Sequence, residues 1–286
     1  MSRTWSGRAV AALAVLVLGV AGCSGEPEVE EGRQVLSPAE AGQQHTHTTL
    51  VGDGTTADAG GYRLADLQFP DVSREPGDLT FRILDSRGDA VTDYVEEQTK
   101  LLHLYVVRDD LTDFRHLHPV LGDDGTWSAR VDVADPGEYR VVAEFLPAAQ
   151  EDGSHVVLGA RALVEGTPPP TGQAPASTAS DGVVTIAGPE TLPAGVDSQF
   201  EMTVSDGASG VLNLGTYLGS YAHLTGFDVE TGAFVHAHPI GAPTTTDAGS
   251  ELTFHTSFDL PGTYRLFVQV RADGFVHTVP LTTTVG

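Results

Sequence analysis

Histidine is the residue whose distribution in this chain most suggests chemistry. There are eleven, and eight fall on a pattern that occurs twice. His103 is followed by His116, Leu117, His118 and Pro119; His223 is followed by His236, Ala237, His238 and Pro239. Both runs read H-x12-H-x-H-P. Each is followed by a second shared element, Pro136-Gly137-Glu138-Tyr139-Arg140 and Pro261-Gly262-Thr263-Tyr264-Arg265. An Asp-Gly turn and one more histidine then close each repeat: Asp152-Gly153 with His155, and Asp273-Gly274 with His277.

The spacing is that of a ligand cluster built on strands. Residues i and i+2 of a strand project from one face, which places His116 beside His118 and puts Phe234, His236 and His238 on a common face. A hairpin centred near Asp109-Asp110 sets His103 opposite His116, where paired Cβ atoms lie about 4.5–5.5 Å apart. Three imidazoles so gathered can reach one ion over bonds of about 2.0–2.1 Å. His155 and His277 are candidate fourth ligands. Each sits two strands from the first histidine of its repeat, nearly 10 Å away at about 4.8 Å per strand, so each reaches the others only at the rim. One extra residue in the second Asp-Gly turn also reverses the strand phase there. The candidate metal ligands are therefore His103, His116, His118 and His155 in one repeat, and His223, His236, His238 and His277 in the other. Imidazole ligands suit Cu(II), Zn(II), Ni(II) and Fe(II); Cu(II) or Zn(II) is preferred, about one ion per domain. A thioether site for Cu(I) is disfavoured, because Met202 is the one methionine after the initiator. Histidines bonded to backbone carbonyls in a purely architectural role are the alternative. Catalysis lacks a repeated acid or base beside the histidines: Asp113 precedes His116 by three residues, but Ala233 holds that place in the second repeat. The chain has no nucleophile motif, phosphate-binding loop or cofactor fingerprint, so it is not read as an enzyme.

Elements able to position these residues are short strands. Asp78–Leu84, Leu101–Arg108 and Thr126–Val133 alternate, and Tyr139–Phe145 and Val156–Val164 follow. Turns at Ser86-Arg87-Gly88, Asp123-Asp124-Gly125, Asp135-Pro136-Gly137 and Asp152-Gly153 separate them. The rhythm recurs after residue 182, and Ala90–Lys100 alone is ambiguous. Asp135-Pro136-Gly137-Glu138-Tyr139 matches a tyrosine corner, and Tyr264 holds the same place in the second repeat, with Leu260 where the Asp would be. The fold expected is all-β: two tandem immunoglobulin-like sandwiches at 62–166 and 182–286, joined by a Pro/Ala/Thr-rich linker at 167–181.

Residues 1–22 read as a secretory signal peptide, with Arg3 and Arg8 before an apolar run too short to span a bilayer. The run ends in Val20-Ala21-Gly22-Cys23, which resembles the bacterial lipobox. That resemblance implies that Cys23 becomes the lipidated N-terminus, anchored at the extracytoplasmic face of the cell membrane. As the single cysteine it has no disulfide partner. Residues 23–61 read as a flexible tether; His45 and His47 within it form a weak separate metal signal. With 15 Lys+Arg against 39 Asp+Glu and a formal charge of −24, the chain is not a nucleic-acid binder.

Leu101–Pro119, with Leu218–Leu224 and Phe234–Pro239, resembles a motif of bacterial secreted and lipid-anchored proteins described as heavy-metal-binding. The likeness to periplasmic copper chaperones is general only, because their sites mix histidine with methionine. The resemblance implies metal handling, with a metal-transport protein or cuproprotein as partner. The combined expectation is a lipoprotein that sequesters or delivers Cu(II) or Zn(II). The rival is a cell-surface adhesion or interaction module with architectural histidines.

Overall fold

The computed structural model of the chain describes residues 49–170, 176–207 and 210–286. The expected signal peptide, Cys23, His45 and His47 lie outside them, as does part of the expected linker. Among the described residues there is no helix, so none is long and apolar enough to cross a membrane. Ala90–Lys100, ambiguous in sequence, forms a bridge, a short strand and a tight turn.

The first sandwich comprises β1 (Leu50–Val51), β2 (Asp58–Ala59), β3 (Tyr62–Gln68), β4 (Gly77–Leu84), β5 (Tyr94–Val95), β6 (Leu102–Arg108), β7 (Arg115–Leu117), β8 (Val120–Leu121), β9 (Thr126–Val131), β10 (Gly137–Pro147) and β11 (His155–Val164). One sheet runs β1-β11-β10-β6-β7, with β5 on β10; the other runs β2-β3-β4-β9-β8. The second comprises β12 (Thr178–Ser180), β13 (Thr185–Ala187), β14 (Thr191–Leu192), β15 (Asp197–Ser205), β16 (Leu214–Gly215), β17 (Ala222–Asp228), β18 (Phe234–Ala237), β19 (Thr244–Thr246), β20 (Gly249–Ser257), β21 (Gly262–Ala272) and β22 (Phe275–Val285). Its sheets repeat the same orders, β14-β22-β21-β17-β18 with β16 on β21, and β12-β13-β15-β20-β19. The protein is thus two tandem immunoglobulin-like sandwiches, as expected.

Two expected boundaries move. The tether was expected to run to residue 61, but Leu50–Val51 pairs in parallel with His155–Val156, and Asp58–Ala59 pairs with Tyr62 and Arg63. A two-residue parallel edge strand joins residues a hundred positions apart, so no local hairpin signal announces it. Likewise Thr178–Ser180 pairs with Thr185–Ala187, which brings the second sandwich forward into the expected linker.

Each sandwich has its own core. Phe81, Trp127, Tyr139 and Leu158 lie in the first, and Phe254, Phe258, Tyr264 and Val268 in the second. Both tyrosine corners form. Tyr139 donates to the Asp135 carbonyl at 2.7 Å and Tyr264 to the Leu260 carbonyl at 3.0 Å. Leu in place of Asp is harmless because the acceptor is backbone. Asp113 accepts from the Tyr139 hydroxyl and the Ala134 amide, and pairs with Arg115, so its role is structural.

The third core decides the architecture. Tyr105, Val107, Leu111, Val142 and Val157 of the first sandwich pack with Phe227, Phe234 and Phe267 of the second in one buried cluster. The rings of Phe114 and Phe267 stack across it at 4.2 Å and 8°. Arg140 donates to the Thr231 carbonyl, and the Phe234 amide donates to the Asp53 carbonyl. Gly54, at φ +73, lies between Val142 and Phe234, where an added Cβ would come within 2.9 Å of Val142 Cγ1. The two sheets carrying the histidines therefore face each other. That explains why every residue of β6 and β17 is buried. The alternation of β6 looked like one wet face and one dry; both of its faces are covered.

Candidate metal centre

The hairpin β6–β7 pairs Leu104 with Leu117 and Tyr105 with His116. Its centre is one residue later than expected, with Leu111 (φ 58) and Asp113 (φ 49) in left-handed conformations in the turn. His103 therefore stands level with His118, and His116 lies one step along on the same face. The second hairpin has the same register, Leu224 with Ala237 and Thr225 with His236. Pro119 and Pro239 follow the last histidine where the chain leaves the shared sheet, so their missing donors leave no ladder position unfilled.

In each sandwich the three imidazoles converge. One ring nitrogen from each of His103, His116 and His118 lies within 4.8 Å of the other two, and the same holds for His223, His236 and His238. The triads also meet. Ring centroids are 6.2 Å apart for His103 and His236, and 6.0 Å for His116 and His223. These spacings resemble the 6.1 Å between His223 and His236 inside one triad. The six imidazoles form two adjoining triads between the sheets, where one isolated group per sandwich was expected.

Their hydrogen bonds define which nitrogens are free. His103 Nε2 donates to the Glu97 carbonyl at 3.1 Å, and His223 Nε2 donates to the Tyr217 carbonyl at 2.8 Å. Both acceptors open two-residue turns with left-handed centres, Gln98-Thr99 and Leu218-Gly219. His116 Nδ1 donates to Gln269 Oε1 at 2.7 Å, while the Gln269 amide nitrogen donates to Thr278. His236 Nδ1 donates to Glu144 Oε2 at 2.7 Å. With those protons placed, the inward nitrogens are Nδ1 of His103 and His223 and Nε2 of His116 and His236. His103 Nδ1 lies 3.0 Å from His116 Nε2, so two lone pairs face each other with no proton between them. His223 Nδ1 lies 2.9 Å from His238 Nε2. Among the described residues, Nε2 of His118 and Nε2 of His236 are buried without a hydrogen-bond partner. Such atoms are costly to bury and call for an explanation.

Protonation does not relieve the crowding. Burial pushes His103 down to about 4, partly offset by Glu144. Burial, with the nearby charges of His103 and Lys100, pushes His118 to about 3. Burial and the neighbouring His236 push His223 to about 3. Burial likewise holds His116 and His238 well below the ordinary range. Near neutral pH these five rings are uncharged bases with available lone pairs, the form in which imidazole binds metals.

The expected fourth ligands do not join either triad. His155 Nδ1 lies 3.4 Å from Glu144 Oε1. Burial lowers its pKa, but the bond to Glu144 and that residue's charge outweigh burial and hold it above the ordinary value. His277 lies in register with Val270 on the opposite face of its sheet, where Nδ1 meets Asp181 Oδ2 at 2.7 Å. The extra residue in the second Asp-Gly turn sends the two histidines to opposite faces, which separates His277 from the centre altogether.

Glu144 is a functional candidate that histidine spacing did not find. It is buried on β10 opposite His103, and its carboxylate accepts from Tyr105 and His236. Burial alone would raise its carboxyl; His236 and the hydrogen bonds from His155 and His236 prevail and hold it well below the usual range. Gln269 occupies the matching place on β21, opposite His223. Aligning Pro136-Gly137 with Pro261-Gly262 superposes the two, so a polar residue in an otherwise apolar strand of both repeats was a readable signal.

A family model described as a domain of unknown function, DUF8832, matches residues 177–286. That span is the second sandwich. No curated protein matches the chain. Similar solved structures include a tetra-tandem repeat from the extending region of a large adhesion protein, at 14% identity and a TM-score of 0.27, covering 79% of this chain and 49% of that one. A Salmonella alpha-2-macroglobulin matches at 14% identity and 0.27, over 82% of this chain and 15% of that one. Invasin, a bacterial integrin-binding protein, matches at 13% and 0.22, over 79% and 39%. The chain spans about half or less of each. Similarity at this level assigns neither family nor function.

Proposed function

We propose that this protein is an extracytoplasmic lipoprotein that binds Cu(II) or Zn(II) through His103, His116 and His118 and through His223, His236 and His238, for sequestration or delivery to a metal-transport protein or cuproprotein. The observation that carries the reading is the convergence of three ring nitrogens in each sandwich, with His103 Nδ1 and His116 Nε2 facing each other and Nε2 of His118 and of His236 buried without a partner. A cation accepting those lone pairs removes the repulsion and satisfies the orphaned atoms. Outward ring nitrogens bonded to carbonyls, an amide and a carboxylate are the orienting partners that ligand histidines need. The anchor rests on the lipobox at Cys23 and places the site outside the cytoplasm.

The test is a titration of full-length protein, made without a polyhistidine tag, with Zn(II) and Cu(II). About two equivalents should bind, and changing His103, His116 and His118 together to Ala should remove one. Unchanged stoichiometry in that variant overturns the reading. The rival, an adhesion module with architectural histidines, requires no metal uptake and an unfolding midpoint indifferent to chelator.

A further inference from the structure

The acceptors that orient the middle histidine of each triad cross between the sandwiches. Glu144 stands opposite His103 in the ladder of its own sheet, yet its carboxylate takes the Nδ1 proton of His236 from the other sandwich. Gln269 stands opposite His223, yet its carbonyl oxygen takes the Nδ1 proton of His116. Both contacts are 2.7 Å long, and Glu144 and Gln269 are 3% and 6% exposed, so water does not substitute for either. Each acceptor is itself held: Glu144 by the Tyr105 hydroxyl at 3.1 Å, Gln269 by Thr278 at 3.1 Å.

We propose that each sandwich completes the other's metal site: Glu144 is the positioning residue for the His223/His236/His238 triad, and Gln269 for the His103/His116/His118 triad. The proposal rests on the metal-binding reading and deepens it. A ring fixed through its outer nitrogen presents the inner one in a set tautomer and direction, and losing such a partner typically lowers metal affinity about 10–100-fold. The consequence is that neither triad is finished within its own sandwich, so metal affinity depends on the two staying docked. The sites are also unequal. A carboxylate acceptor adds negative charge beside a cation held by His236, whereas Gln269 is neutral. The triad of the second sandwich is thus the tighter of the two.

The crossed dependence can be read with Zn(II) in full-length protein carrying one triad at a time. With His103, His116 and His118 changed to Ala, Glu144→Leu should lower Zn(II) affinity about 10–100-fold. Glu144→Gln, which keeps an acceptor, should restore most of it, and Gln269→Leu should change it by no more than about twofold. With His223, His236 and His238 changed instead, Gln269→Leu should weaken binding and Glu144→Leu should not. Losses that fall on a residue's own sandwich, or equally on both triads, overturn the proposal. A metal-free measurement separates this from failure of metal binding itself. Nitrogen-15 spectra of the histidines should show His116 and His236 protonated at Nδ1, with Gln269→Leu perturbing His116 and Glu144→Leu perturbing His236 and its neighbour His155. If that pattern holds in a protein that takes up no zinc, the metal reading fails and the reciprocal positioning stands. If zinc binds and the pattern is absent, the reciprocal positioning fails.

Discussion

Acidification should destabilise the metal-free protein through its buried imidazoles, and the size of the effect follows from two of them. His103 is 4% exposed with a pKa near 4, and His223 is fully buried with a pKa near 3. In the unfolded chain both titrate near 6.5. Between pH 6.5 and the folded values the unfolded state binds more protons than the folded one, so stability rises with pH in that window and falls as acid is added. At pH 5 each ring has been carried about 1.5 pH units below its unfolded pKa while staying neutral in the fold. At about 1.36 kcal/mol per unit, that is a loss of about 2 kcal/mol per ring and about 4 kcal/mol for the pair. Folded domains have only about 5–15 kcal/mol in hand, so the change is large. His155, whose pKa is raised, acts in the opposite sense. Urea denaturation at pH 7 and pH 5, with chelator present, reads the difference. His103→Gln with His223→Gln should lessen it by about 4 kcal/mol, the share of these two rings, since Gln keeps a donor for the Glu97 and Tyr217 carbonyls and does not titrate. Equal stability at the two pH values, or a loss unaltered in the double variant, would refute the reasoning. Zn(II) at a hundred times its dissociation constant should add about 2.7 kcal/mol per site at pH 7.

Further outcomes separate the framework from the centre. Phe267→Ala removes one ring of the stacked pair between the sandwiches and should cost about 3–5 kcal/mol in urea denaturation; a loss below about 1 kcal/mol would mean that the third cluster is not a core. Tyr139→Phe leaves buried Asp113 without its hydroxyl donor and should cost about 1–3 kcal/mol, with zinc stoichiometry unchanged by the same titration. Cys23→Ala should move the protein from the membrane fraction to the soluble fraction, and continued membrane association would argue against the lipid anchor.

Strand content, the tandem sandwiches and both tyrosine corners were legible because they depend on local patterns: alternation, turn residues, and a tyrosine four places after its acceptor. The triads were legible too, because i and i+2 on a strand share a face whatever surrounds it. Register was less so. With Leu111 and Asp113 left-handed in the turn, the hairpin centre lies one residue later, so His116 pairs with Tyr105 instead of His103. β1 escaped notice because its partner β11 begins at His155, far along the chain.

By its own residue order the chain determined which six imidazoles could gather and on which hairpins, since strand periodicity is a property of neighbours in sequence. Only the packing of one sandwich against the other decided that the two groups adjoin and that Glu144 and Gln269 bond to histidines of the opposite triads. Those outcomes depend on apolar surface being buried between sheets whose facing residues lie far apart in the chain, and a pattern read along one strand carries no information about what covers it.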